Sequence, residues 1–182
     1  YSWFWILYFQ MFHTVLWYLK DHIDMAPVEA VINGAAAVVG VGLDFRFDVE
    51  HVTVINAGTI ILLQFVVSKL VARRAALPTM VTGIAMGTVG MAMLAVSTHA
   101  WVFLAGIIIF SIGEMTTHPK FISYIGLIAP KDKVALYMGY SFLYGVLGSS
   151  IGGVIGGYGY ERFVKQQHQP EILWLIFAAI GL

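Results

Sequence analysis

Cysteine is absent from the 182 residues, so no disulfide framework and no thiolate metal site can form. Charge is also scarce: only 11% of residues are Asp, Glu, Lys or Arg, against about 25% in soluble domains. The ten Lys and Arg balance the ten Asp and Glu, and no basic run exists to neutralise phosphates, which argues against a nucleic-acid partner. The six histidines, at 13, 22, 51, 99, 118 and 168, never share a ligand spacing on one helix, so no metal site and no cofactor is expected. Ser111, Glu114 and His118 do not make a hydrolytic triad. They lie on one helical stretch without a nucleophile elbow or oxyanion donors, so no catalytic residues are assigned.

What is abundant is apolar residues, 59% of the chain, with a mean hydropathy of +0.83 and 19 glycines. A membrane-spanning helix needs about 20 apolar residues. Five runs qualify outright or as truncated spans: Tyr1–Leu19, Val52–Val71, Pro78–Ser97, Ala100 to about Ile122, and Val134–Tyr158. A sixth starts at Glu171 and stops at Leu182. Tyr1 and Leu182 both lie inside apolar segments, and there is no initiator Met or charged leader. The chain therefore reads as an all-α membrane protein, a six-helix transmembrane bundle truncated at both ends. Residues 20–51 form the connection after the first span, and its short apolar piece, Val28–Leu43, is expected not to cross.

Cationic residues set orientation. Lys69, Arg73 and Arg74 flank one loop, and Lys131 and Lys133 flank another, with two spans between them. Both loops thus fall on one, cytoplasmic, side. The mostly acidic 20–51 connection falls on the other.

One carboxylate breaks the pattern. Glu114 sits inside the fourth apolar run, where a charge at the bilayer centre costs about 2.5–3.5 kcal/mol or more. Ser111, Glu114, Thr117 and His118 share a helical face, and Glu114 and His118, one turn apart, are close enough to hydrogen-bond and share a proton. Pro119 removes a backbone donor and is expected to kink the helix beside them. Gln10, His13, Thr14 and Trp17 line one face of the first run, and Asn56 and Gln64 one side of the second. Three polar faces in apolar spans are expected to converge on an interior cavity. The fifth run carries Gly148, Gly152 and Gly156 at four-residue steps, a helix-packing stripe, with Ser149, Gly153 and Gly157 beside it.

The fourth run and its exit, Gly113-Glu114 followed by Pro119 and then Ala129-Pro130-Lys131, resemble the tenth helix of the proton-dependent oligopeptide transporters of the major facilitator superfamily. Ala135 to Leu143 resembles the start of that family's eleventh helix. Phe4-Trp5 with Gln10 and Asp24 resembles its seventh, and Ile55-Asn56 the opening of its eighth. The resemblance implies the C-terminal six-helix half of such a transporter, in a bacterial inner (plasma) membrane. Its partners would be the lipid bilayer, the missing N-terminal half, a small-molecule substrate and protons. By the resemblance Glu114 would receive a substrate amine. Its spacing to His118, not the family, suggests a shared proton and places His118 in proton coupling. Asn56 and Gln10 would line the same cavity; Ser141, at the family's Trp position, and Trp17, from the polar face of the first run, complete the candidate substrate site.

The departures are Phe9 in place of an acidic residue, Ala57 in place of Pro, Ser141 in place of Trp, and His118 and Lys120 without usual counterparts. A drug/proton antiporter, or a structural membrane subunit without transport, are the alternative readings.

Overall fold

Apolar runs without breakers dictate helices, and the computed structural model, which describes residues 1–182, is built of nothing else. The first run is divided. Helix α1 (Ser2–Gln10) ends in a turn at Met11–His13, and α2 (Thr14–His22) resumes after it. His13 breaks the helix with φ −133° and ψ −85°. Pro27 begins α3 (Ala26–Val38), where the Asp24 carboxylate accepts the Ala26 amide at 2.9 Å. At its far end Gly40, with φ 78°, lets Val41 and Gly40 donate to the carbonyls of Ala36 and Ala37. At 13 residues, α3 is about 20 Å long, short of the ~30 Å hydrocarbon core.

Three long helices follow: α4 (Glu50–Val71), α5 (Ala76–Val96) and α6 (Ala100–Ile128). The next run forms α7 (Val134–Ser141) and α8 (Leu143–Gly159), and continues as a π-helical segment, Tyr160–Gln166. Pro170 opens α9 (Pro170–Gly181). Four of these stretches are long and apolar enough to cross a membrane: α4, α5, α6 and Val134–Gln166.

The packing order differs from the chain order. α1 lies against α8 and touches α9 and α5; α5 packs on α6 and α9; α4 packs on α6. The core sits where α1, α2, α5, α6 and α9 meet, around Phe4, Leu7, Met91, Phe103, Phe110 and Trp174. Glycine decides the closest approaches. A Cβ at Gly90 would lie 2.6 Å from the Gly106 carbonyl, and one at Gly113 2.5 Å from that of Gly83. The α5 and α6 backbones therefore touch, as small residues permit in lipid.

The two glycine stripes of α8 differ. Gly148 lies against Trp5, Gly152 against Gln10 and Ile6, and Gly156 against Gln10 and Thr14. Gly145, Gly153 and Gly157 have no such neighbour.

Candidate functional site

The site begins where α4 meets α6. Only four residues of α4 are buried, and Asn56 is one of them. Its side-chain amide donates to Ser111 Oγ at 2.8 Å and to Glu114 Oε2 at 3.2 Å. Ser111 passes its own proton to the Ile107 carbonyl at 2.8 Å, so the serine is polarised as an acceptor toward Asn56. The other oxygen of Glu114 receives no protein donor. The two ion pairs of the chain, Arg46–Asp44 and Lys165–Glu161, are both exposed and elsewhere.

The obvious counter-charges to Glu114 are engaged. Lys120 turns its ammonium to the carbonyls of Ala72 (3.2 Å) and Arg74 (2.9 Å). His118, expected to hydrogen-bond to Glu114, instead shares a hydrogen bond of 2.8 Å between its Nδ1 and Tyr1 Oη. His118 meets Tyr1 at the start of α1, whereas Glu114 meets Asn56 of α4. Pro119 has no amide hydrogen to donate, yet α6 continues through it without interruption.

One turn from Glu114, around His118, stands a wall of rings outside the polar faces. Tyr1 stacks on Phe121 with centroids 3.8 Å apart, Trp5 meets Tyr144 at 4.7 Å and Tyr8 at 4.4 Å, and the His118 ring lies 5.7 Å from Trp5. Tyr1, Trp5 and Tyr8 recur at helical spacing on α1, so their common face was readable. Tyr144 joins them only because α8 packs on α1.

The other expected site residues lie apart. Gln10 is fully buried at the α1–α8 seam, where its amide donates to the carbonyls of Ile6 (2.9 Å) and Gly152 (3.1 Å) and its oxygen accepts from Thr14 (2.6 Å). It joins two helices and leaves no group for a solute. Trp17 is half exposed, edge-on to Tyr160 at 5.4 Å. Ser141 donates to the Met138 carbonyl at 2.8 Å, where α7 gives way to α8. Gln64 donates to Ser68 at 2.8 Å, further along α4 from Asn56. Of the polar faces, two therefore converge: Asn56 from α4, and Ser111 with Glu114 from α6.

A carboxylate with one amide donor and no cation, set between apolar helices, is costly unless it is protonated or paired. The site holds no nucleophile–base pair. The family model of the Major Facilitator Superfamily matches residues 28–182. No curated protein and no solved structure matches the chain.

Proposed function

The chain belongs to the Major Facilitator Superfamily, a family of secondary transporters, and from that premise we propose that it is the C-terminal six-helix half of a proton-coupled importer of small peptides or related amine-bearing solutes. The observation that carries this reading is Glu114, half-buried beside Asn56 without a counter-cation. An ammonium group supplies the missing positive charge, and so does a proton. The two compete for one carboxylate, so the arrival of one favours departure of the other. Asn56 holds Oε2 and leaves Oε1 for the exchanging cation. Rocking of this bundle against its N-terminal partner would present the site to each side of a bacterial inner membrane in turn. Gly113-Glu114, Pro119 and Ala129-Pro130-Lys131 support the peptide-transporter resemblance.

Replacing Glu114 with Gln in the full-length protein keeps the shape and the Asn56 neighbour but removes the exchangeable charge. Uptake of amine-bearing solutes is expected to fall to background. Unchanged uptake and binding would sink the assignment.

The rings favour one second reading. Tyr1, Trp5, Tyr8 and Tyr144, clustered beside His118 one turn from the lone carboxylate, also suit a lipophilic cation, as in a drug/proton antiporter. Counterflow of labelled dipeptide against unlabelled peptide or lipophilic cation separates the two. Competition by the cation alone selects the antiporter.

A further inference from the structure

Helices α4 and α5 are joined by the short loop Ala72–Ala75, yet each packs on α6 and they barely touch one another beyond it. They diverge into a wedge containing a cavity of about 490 Å³, within the ~300–1,000 Å³ of ligand sites. Leu70 and Val71 of α4 line one side, Pro78 and Thr82 of α5 the other. Buried Thr116 of α6 and exposed Arg74 of the loop complete it.

The cavity's threonines are unusual in what they do not offer. Thr79 donates to Ala75, Thr82 to Pro78 and Thr116 to Ile112, each back to its own helix. Their hydroxyl hydrogens are already engaged, so the walls present methyl groups and lone pairs. The lining's one free donor is the Arg74 guanidinium, beside Arg73 and one helical turn beyond Lys69. Between His51 and Gly113 the chain has no Asp or Glu to oppose these charges. Lys120 fixes the loop from below through the Ala72 and Arg74 carbonyls and adds its own charge.

An occupant of this wedge needs an anionic head for the arginines and an apolar body for the groove. The loop joins two helices long enough to cross a membrane, so it lies at the level of the headgroups. Basic pockets between spans on the cytoplasmic face suit anionic lipid headgroups. We propose that the α4–α5 wedge binds one anionic phospholipid, its phosphate on Arg73 and Arg74 and an acyl chain along Leu70, Val71 and Pro78. This site is separate from Glu114 and does not depend on what the transporter carries.

The test uses the full-length protein in vesicles with spin-labelled lipids. Labelled phosphatidylglycerol is expected to be retained more strongly than labelled phosphatidylcholine. Each guanidinium at an anionic surface contributes about fivefold in affinity, so R73Q/R74Q should weaken retention of phosphatidylglycerol by about thirtyfold. R73K/R74K, which keeps the charge, should retain it, and Thr82→Trp, which fills the groove, should lower retention of both lipids. K131Q/K133Q, on the other basic loop, should change nothing. Equal retention of the two lipids, an R73Q/R74Q variant that behaves as wild type, or equal loss in K131Q/K133Q would overturn the site. Displacement of the lipid by excess inorganic phosphate would reassign it to the free anion.

Discussion

Helix α6 is held on two sides by opposite means. Toward α5, the contact is backbone on backbone. Gly83, Gly87 and Gly90 face Gly106 and Gly113, and an added Cβ at any of these meets α5, α6 or Phe4 at 2.8 Å or less. Toward α4, the contact is smaller and mixes buried Val52 and Val67 with polar groups. Asn56 reaches Ser111 and Glu114 at the middle, and Lys120 reaches Ala72 and Arg74 at the end. α4 otherwise turns Ile61, Leu62 and Phe65 outward, each more than three-quarters exposed in the isolated bundle.

The physical difference is exchangeability. Shape complementarity between backbones has one solution and no substitute partner, because lipid tails cannot enter so close a seam. Hydrogen bonds can be traded for those of a solute, a proton or water at small net cost. α5 and α6 thus form the fixed part, and α4 is joined to it in part by hydrogen bonds. The uncompensated carboxylate lies on the exchangeable side.

The largest test attacks the fixed seam. Gly90→Leu drives a side chain into the Gly106 carbonyl and the Phe110 backbone, which cannot give way. The expected loss is more than about 3 kcal/mol, seen as collapse of the monodisperse peak and thermal transition of the full-length protein in detergent. Ile61→Ala on the outer face of α4 should stay within about 0.5 kcal/mol. Equal effects would erase the contrast between the two sides.

Asn56→Ala comes next. It strands Ser111 and Glu114 without their shared donor, at about 1–2 kcal/mol, a weakening of solute binding of roughly tenfold with the fold intact. Titration of substrate against tryptophan fluorescence checks it, and wild-type affinity would remove Asn56 from the site. Lys120→Met follows at about 1 kcal/mol. Hydrogen exchange should quicken at Ala72–Ala75 and remain unchanged along the α5–α6 seam. Uniform protection across the loop would show that Lys120 does not hold it.

His118→Ala should have the smallest effect on stability. His118 borders neither seam; it bonds Tyr1 of α1. If it passes protons to Glu114 through the site, the pH optimum of uptake moves while maximal uptake persists. A superimposable profile leaves His118 as a packing partner of Tyr1.

Much of this was legible before any coordinates. The apolar runs mark α4, α5, α6 and α8 because uninterrupted hydrophobic stretches leave the backbone no partner but itself. Glu114 stood out because nothing else in its run can ionise until His118. The break at Met11–His13 was not legible. Neither Gly nor Pro marks it, and Gln10, His13 and Thr14 around it read as one polar face of a continuous helix. The fates of Gln10 and His118 were hidden for another reason. A helical period gives the face on which a residue lies, but not which helix that face will meet.

The sequence by itself therefore determined an all-helical membrane bundle, the glycine faces that permit close approach, and the presence of one costly carboxylate. Those are properties of a single helix and its solvent. Only the tertiary structure decided that Asn56 and not His118 meets Glu114, that Gln10 seals α1 to α8, and that Lys120 ties down the α4–α5 loop. Each of these depends on which helices become neighbours, and that order, with α1 beside α8 and α4 beside α6, differs from the order in the chain.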